Sequence, residues 1–311
     1  MEPPTVPPMR VADAWHAGRE HLVALGVDEA GITAEVLLRH SVGWTRAELY
    51  LRWHQPLAAG ACARYQALLA ERGAGRPVAY VIGHREFMGL DFAVDERVLI
   101  PRPETELLVE TVLDLVRDTP APTIVDVGTG SGAIAVSIAA ARPDAALVAT
   151  DLSGDALAVA EINAARHGVT GRVRFLQGDL LEPLARRRSC VHVVASNPPY
   201  VDPAIATTLP REIRSYEPAL AVVAPGYGES VHARLADQAP GVLAPGGWLV
   251  MEVAAGQAER VVELLKRPTP YEDVIVRRDG IGWERVVAAR LRGVRGSTLD
   301  VSGTCVEPTT V

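Results

Sequence analysis

The chain has 311 residues, of which 48% are hydrophobic, and a formal net charge of −7 at pH 7. This length and composition suit two folded domains with hydrophobic cores. The negative charge argues against tight binding to a nucleic-acid backbone, because non-specific affinity for nucleic acids comes from clustered cations.

The first part of the chain has apolar residues at helical spacing. Helices are predicted over residues 11–25, 29–41 and 58–72, and together they predict a small helical domain over residues 1–75. Residues 76–103 follow with short β-like runs interrupted by Gly83 and Gly89. These runs predict a β-hairpin that links the helical domain to the next one.

The rest of the chain alternates strands and helices, which is typical of an α/β domain with a mostly parallel sheet. A helix is predicted from Glu104 to Arg117, and the prolines of residues 119–122 end it. A second helix covers residues 133–141, and strands are predicted over residues 123–127, 146–150, 173–176, 191–196, 246–252, 274–277 and 284–289. The α/β domain should span residues 104–292, and residues 293–311 should form a disordered tail.

A glycine-rich loop follows the first predicted strand, with the sequence Asp126-Val127-Gly128-Thr129-Gly130-Ser131-Gly132. Glycine is needed where a backbone turns with positive φ or lies directly against a ligand. This order of a strand, a glycine turn and a helix is typical of sites that bind nucleoside-containing ligands. A nicotinamide-dependent enzyme remains open, although Asp126 would repel a pyrophosphate and attract a cationic amino-acid group.

Acidic residues follow the next two predicted strands. Asp151, with Leu152, comes about 20 residues after the glycine loop, the spacing at which a carboxylate binds ribose hydroxyls. Asp179 and Leu180 follow the third strand and can offer an acid or a backbone amide to an adenine edge. A solvated turn is the alternative for Asp179, but ligands bind beyond the carboxyl ends of parallel strands.

Asn197-Pro198-Pro199-Tyr200 follows the apolar run of residues 191–196. The two prolines remove N–H donors and keep Asn197 extended, which leaves acceptors free for a ligand. The Asn197 side-chain oxygen and the Pro198 carbonyl can hold a planar –NH2 group, and Tyr200 can pack on it. This pattern indicates methyl transfer to a planar nitrogen, with a proline-rich turn as the alternative.

Cysteine, histidine and hydropathy patterns define further expectations. Cys62, Cys190 and Cys305 are few and odd in number, which predicts a reduced compartment. The eight histidines lack metal-ligand spacing, so no metal site is expected. No apolar run approaches about 18 residues, and residues 1–9 lack the apolar segment of a secretory signal. We therefore expect a cytoplasmic protein that does not enter a membrane.

Together these motifs resemble the class I S-adenosylmethionine-dependent methyltransferases, and within them the N5-glutamine methyltransferases of peptide chain release factors. The resemblance runs from about Val11 to Leu291 and is most specific in Pro101-Arg102-Pro103-Glu104-Thr105-Glu106; residues 83–92 and 209–218 also carry it. Two stretches depart from the family pattern, residues 224–230 and the segment from Glu252 to Gln257. These departures affect the surface expected to face the substrate.

The resemblance implies a Rossmann-like, mostly parallel seven-stranded sheet and the conversion of S-adenosylmethionine to S-adenosylhomocysteine. The implied substrate is the glutamine of the Gly-Gly-Gln motif in class I release factors. Because the N-terminal helices carry no visible catalytic groups, we expect the helical domain to dock this protein substrate, and we expect a monomer. The alternatives are a ribosomal-protein glutamine methyltransferase and, less favoured, an adenine-N6 nucleic-acid methyltransferase.

The resemblance also implies roles for individual residues. The expected catalytic residues are Asn197, Pro198 and Tyr200. The expected donor-binding residues are Asp126, Gly128, Thr129, Gly130, Ser131, Gly132, Asp151, Leu152, Asp179, Leu180 and Asn197. The expected substrate-binding residues are Asn197, Pro198, Pro199, Tyr200, Pro101, Arg102, Glu104 and Glu217. Glu104 can instead cap the helix that it begins, and Glu217 can instead pair with Arg214.

Overall fold

A computed structural model describes residues 9–185, 190–266 and 270–293, with the side chains of residues 225 and 227 left out. The predicted tail, except for Gly293, lies outside the described residues. The α-helices in the described part are α1 Val11–Ala24, α2 Ala30–Val42, α3 Arg46–Leu51, α4 Ala59–Gly73, α5 Val78–Ile82, α6 Glu106–Leu115, α7 Ala133–Ala141, α8 Gly154–Arg166, α9 Arg211–Tyr216, α10 Ala219–Val222, α11 Glu229–Gln238 and α12 Ala258–Lys266.

The strands in the same residues are β1 His84–Phe87, β2 Leu90–Ala93, β3 Thr123–Val127, β4 Ala146–Asp151, β5 Val173–Gln177, β6 Val191–Ser196, β7 Leu243–Glu252, β8 Tyr271–Arg278 and β9 Glu284–Leu291. None of the described helices is both long and apolar enough to cross a membrane.

The chain forms two compact units. The first contains the described residues up to Gly83 together with Pro210–Tyr216, and the second contains the remainder. The first unit is helical, with a core built around Leu22, Leu37 and Leu38, all of them fully buried. Helix α9 belongs to this unit although it is distant in sequence. The Glu212 carboxylate on α9 lies 3.0 Å from the Arg72 guanidinium, and the Tyr216 hydroxyl donates to the Ala74 carbonyl at 3.2 Å.

The second unit is an α/β domain around a seven-stranded sheet of order β5-β4-β3-β6-β7-β9-β8. Strands β3 to β7 are parallel, and β9 is antiparallel to both β7 and β8. Successive strand side chains point to opposite faces, so Ile124 packs in one core and Val125 in another. Helices α6 and α7 cover the first face, and α11 and α12 cover the second.

The strand order creates a crevice at the ends of β3 and β6, where the order of the strands reverses. The chain runs outward from β3 through β4 to β5, then returns to place β6 on the other side of β3. Val127 at the end of β3 pairs with Ser196 at the end of β6, and the Ser196 hydroxyl donates to the Val127 carbonyl at 2.8 Å. Ligands bind at such a switch point in open α/β sheets. The glycine loop and the segment Asn197–Tyr200 both begin there.

The structure confirms the α/β fold class and the seven-stranded sheet. Two local elements differ from the prediction. Residues 78–82 form helix α5 instead of a β-like run, and helix α3 was not predicted. The first compact unit contains the described residues up to Gly83 together with residues 210–216. The predicted hairpin forms from β1 and β2, but within the second unit.

Candidate active site

A cavity of about 420 Å³ lies beyond the carboxyl ends of the parallel strands. Its volume is in the range of small-molecule sites. Eight of the residues predicted to bind donor or substrate line it: Gly128, Gly130, Asp151, Leu152, Asp179, Leu180, Asn197 and Pro199. Sequence reasoning missed other lining residues, including Arg97, Leu99, Thr150, Ser153, Leu220 and Arg234. Arg97 and Leu99 lie in the connection after β2.

The glycine loop combines two roles. Gly128 and Gly130 line the cavity with φ of 73° and 54°, and a Cβ added to either would meet no protein atom within 4 Å. A ligand can therefore lie directly against this backbone. At Gly132, by contrast, a Cβ would lie 3.1 Å from the Ala160 Cβ, and the residue does not line the cavity. Gly132 lets α7 pack closely against α8.

Asp126 lies beneath the loop and is fully buried. One of its oxygens, Oδ2, accepts from the Thr129 hydroxyl at 2.6 Å and from the Ala135 amide at 3.2 Å. Its Oδ1 has no hydrogen-bond partner among the described residues. Burial raises the pKa of Asp126 to about 7, although the Thr129 hydrogen bond opposes this shift. Asp126 is not among the residues that line the cavity. A cationic group placed against the unpartnered oxygen would stabilise the ionised carboxylate.

Thr129 and Ser131 are also buried, and neither lines the cavity. The Thr129 hydroxyl serves Asp126, and the Ser131 carbonyl accepts from the Asn163 side chain at 2.8 Å. These two residues, which were predicted to bind the donor, thus stabilise the glycine loop through hydrogen bonds on the side away from the cavity.

Asp151 both lines the cavity and shapes the loop. Its Oδ2 accepts from the Gly130 amide at 2.9 Å, and its Oδ1 accepts from the Ser153 amide at the same distance. Carboxylate oxygens have additional acceptor sites, so both can still bind hydroxyl groups of a ligand.

Asp179 lines the cavity beside an Arg residue that the sequence did not identify. Its carboxylate lies 2.7 Å from the Arg234 guanidinium on α11. Leu152 and Leu220, which are about half exposed, add apolar surface to the same cavity. Polar groups on an apolar wall suit a flat heterocycle with polar edges.

Asn197 is oriented by a hydrogen bond across the domain. Its Nδ2 donates to the Thr105 hydroxyl oxygen at 3.0 Å. Because the NH2 end is engaged there, the amide oxygen remains as the acceptor that Asn197 offers to a ligand. Pro198, which is buried, and Pro199 continue the segment without N–H donors.

The loop after α10 packs on this segment. Gly228 has φ of 76°, and a Cβ there would lie 2.6 Å from the Pro199 carbonyl oxygen and 2.9 Å from the Tyr200 Cα. Gly228 lies in residues 224–230, which depart from the family pattern. Burial raises the pKa of Tyr200 to about 12, and the nearby Glu252 carboxylate contributes to that shift.

The charged residues among those predicted to bind the substrate, Arg102, Glu104 and Glu217, form ion pairs. The Arg102 guanidinium lies 2.5 Å from the Glu217 carboxylate, whose side chain is almost completely buried. This identifies Arg102 as an ion-pair partner of Glu217, where the sequence suggested Arg214. Glu104 lies in a 3-10 turn, Pro103–Thr105, that leads into α6, and its carboxylate is 3.9 Å from the Arg285 guanidinium. Pro101 is buried.

Comparisons with protein families match most of the chain. Residues 13–83 match the family described as "PrmC N-terminal domain", and residues 103–213 match "Methyltransferase small domain".

Among the described residues, no group of three His, Cys, Asp or Glu side chains is placed to hold a metal ion.

Curated relatives match the chain along nearly its full length. A protein named "Release factor glutamine methyltransferase" from Nitratidesulfovibrio vulgaris is 42% identical over 276 residues, covering 88% of this chain and 92% of the relative. A protein of the same name from Burkholderia pseudomallei is 44% identical, covering 84% and 92%. In fold, the chain is similar to the hMettl16 catalytic domain crystallised with MAT2A 3′UTR hairpin 6, at 17% identity and a TM-score of 0.55, covering 75% and 84%.

Proposed function

The chain belongs to the release factor glutamine methyltransferase family, and from this membership we propose that it methylates the glutamine side-chain nitrogen in the Gly-Gly-Gln motif of class I release factors. The observation that carries the proposal is the orientation of Asn197. Its NH2 group is engaged by Thr105, so its oxygen is the atom available to a substrate amide. The site is that of a methyltransferase, with a methyl donor of the S-adenosylmethionine type.

We infer that the donor is S-adenosylmethionine itself, held in the 420 Å³ cavity. When bound, it supplies an electrophilic methyl group and a neutral leaving group. Gly128 and Gly130 would lie against it, Asp151 would accept from ribose hydroxyls, and Asp179 with Leu180 would face the adenine. Asp126 would meet the donor's ammonium group through the oxygen that has no protein partner.

The substrate nitrogen needs to be held in place, because the lone pair of an amide is delocalised. In the proposed complex the Asn197 side-chain oxygen and the Pro198 carbonyl each accept one of its two hydrogens, which turns the nitrogen toward the methyl group. Tyr200 packs beside the amide plane. The nitrogen N–H becomes acidic once it has a fourth bond, so its proton leaves after the transfer and no strong base is required.

Substrate recognition extends beyond these three residues. We assign the wall around the glutamine to Pro101, Arg102, Glu104 and Glu217. Arg102 pairs with Glu217, and the Glu104 carboxylate lies 3.9 Å from the Arg285 guanidinium. We assign docking of the release factor to the helical first unit. The enzyme acts as a cytoplasmic monomer, and its net charge of −7 supports a protein substrate over nucleic acid.

The test is mass spectrometry of a purified class I release factor after incubation with the protein and S-adenosylmethionine. One methyl group should be added to the peptide that contains Gly-Gly-Gln, and replacement of that glutamine should abolish the addition. Parallel reactions contain a ribosomal protein fraction and adenine-containing DNA. Methylation of either in preference to the release factor would contradict the proposal.

A further inference from the structure

The turn between β8 and β9, residues 279–283, lies at the edge of the sheet that carries the active site. Glu252, the last residue of β7, pairs with Val286 on β9. Because β9 is antiparallel to β7, the residues before Val286 extend beyond the carboxyl ends of the parallel strands. Neighbouring strands are about 4.8 Å apart, so β9 lies about 10 Å from β6, the strand that leads into Asn197.

Hydrogen bonds around Asp279 fix the backbone of this turn. The Asp279 Oδ1 accepts from the amides of Ile281 and Trp283 at 3.1 and 2.9 Å. The Asp279 amide donates to the Trp283 carbonyl at 2.8 Å, and its carbonyl accepts from the Gly282 amide at 3.0 Å. Gly282 has φ of 92°, a conformation that favours glycine. These contacts hold the turn in a defined conformation.

The turn presents two apolar side chains to solvent. Ile281 is 80% exposed and Trp283 is 52% exposed. Single exposed apolar side chains are common on protein surfaces, but these two are separated by one residue on a turn whose backbone is fixed. A fixed turn loses little conformational entropy on binding, and tryptophan often contributes strongly to the affinity between proteins. The pair is therefore suited to contact an apolar side chain of another protein.

Arg285 connects this turn to the residues assigned to the substrate. Its Nε donates to the Asp279 Oδ2 at 2.9 Å, and its guanidinium lies 3.9 Å from the Glu104 carboxylate. Glu104 belongs to the wall that we assign to the substrate glutamine. One side chain thus joins the turn to that wall.

The Gly-Gly-Gln motif offers few side chains for recognition. Its two glycines have none, so most of the affinity for a release factor has to come from residues outside the motif. An extended chain advances about 3.3 Å per residue, so the distance of about 10 Å between β6 and β9 corresponds to about three residues. A residue at that distance from the bound glutamine can reach the turn.

We propose that Ile281 and Trp283 bind an apolar side chain of the release factor, about three to five residues from the glutamine that is methylated. This inference rests on the proposed function. It adds a contact on the second unit to the docking that we assign to the helical first unit.

The test compares exposed isoleucines at two places in the second unit. Ile281→Ser and Trp283→Ser remove the proposed contact. Ile162→Ser is the matched control, because Ile162 is 51% exposed but lies on α8, which packs on β4 and β5 away from β9. Affinity for an unmethylated release factor is measured by calorimetry with S-adenosylhomocysteine present, so that no turnover occurs. Trp283→Ser should raise the Kd about 10-fold and Ile281→Ser about 3-fold, and Ile162→Ser should be near wild type.

Steady-state kinetics separates this contact from an effect on folding or chemistry. The two turn variants should raise KM for the release factor by the same factors, with kcat, donor affinity and thermal unfolding unchanged. A peptide that contains Gly-Gly-Gln and one further residue on each side does not reach the turn, so all variants should methylate it equally. Equal Kd and KM values for wild type and both turn variants would overturn the inference while leaving the proposed function intact. A wild-type protein that bound the release factor through the turn but transferred no methyl group would contradict only the proposed function.

A photocrosslink identifies what the turn binds. Benzoylphenylalanine in place of Trp283 should crosslink to the release-factor peptide that contains or adjoins Gly-Gly-Gln, as identified by mass spectrometry. Crosslinking only to a distant domain of the release factor would overturn the inference.

Discussion

Arg102 and Glu217 form a close ion pair, 2.5 Å between Nη2 and Oε1, although 115 residues separate them in sequence. The Glu217 Oε2 also accepts from the Ile100 amide at 3.4 Å. The pair fixes the segment before α6 to the segment before α10. Both segments border the site, so the pair stabilises the wall that we assign to the substrate.

Arg102→Met should lower the free energy of unfolding of the second unit by about 3 kcal/mol, because it leaves the buried Glu217 carboxylate without its counter-charge. Adding Glu217→Gln to that variant should recover part of the loss, since a neutral amide is less costly to bury. Urea denaturation of the single and double variants measures both effects. A single variant as stable as wild type would mean that the pair contributes nothing.

Asn197→Ala removes the acceptor proposed for the substrate amide. The single-turnover rate should fall by ~10²- to 10³-fold, the usual effect of losing one such contact. Donor affinity should change far less, because most proposed donor contacts lie on β3, β4 and the turn after β5. Asn197→Asp keeps an acceptor and adds a negative charge near a sulfonium, so donor binding should be retained. A rate within a few-fold of wild type in the alanine variant would make Asn197 a turn residue only.

Asp151→Ala should weaken S-adenosylmethionine binding by about 1 to 3 kcal/mol, measured by isothermal titration calorimetry. The loss combines the ribose contact with the hydrogen bond to the Gly130 amide, which holds the loop. Asp144→Ala is the control, because Asp144 precedes the opposite end of β4 and pairs with Arg142. Equal donor affinities for the two variants would show that the ribose contact is misassigned.

Gly228→Ala should lower the methylation rate about 10- to 100-fold, because the added Cβ would displace the backbone of Pro199 and Tyr200. Gly226→Ala separates this clash from backbone strain. Gly226 also has positive φ, at 63°, but a Cβ there would meet nothing within 4 Å. Both variants should lose some stability, and only Gly228→Ala should lose activity. Similar activities in the two would indicate that the loop yields without moving Pro199.

The buried Asp126 should make stability fall as pH rises. Its pKa is about 7 in the folded protein and 3.8 as the ordinary value, so the folded state holds this proton more tightly. The stabilisation of the folded state that comes from the protonated Asp126 is complete below pH 3.8 and is lost as pH rises through about 7. Asp126→Asn cannot titrate, so its stability relative to wild type should increase between pH 5 and pH 8. Parallel stability curves for the two proteins over that range would contradict the assignment.

The sequence was sufficient to predict the sheet and the cavity-lining loop, because both depend on local patterns. The strand from Thr123 to Val127 is β-branched and is followed at once by glycines that need positive φ. The hydrogen bonds behind the site could not be predicted in this way. Thr105 and Asn197 are 92 residues apart in sequence, and their hydrogen bond forms only in the folded domain. The helix at residues 78–82 was missed because its short apolar run, Val78–Ile82, has the residues of a strand and becomes helical only by packing on the first unit's core.

The first unit contains two stretches of the chain that are far apart in sequence, and this affects how the protein folds as it is synthesised. Residues up to Gly83 leave the ribosome early, but α9, which pairs with Arg72 and Ala74, follows about 130 residues later, or roughly 7 to 26 seconds at ~5–20 residues per second. During that interval the surface that receives α9 is exposed on the nascent chain. The helical unit is therefore the first to begin folding, yet it can be completed only after the first four strands of the sheet, β3 to β6, have been translated.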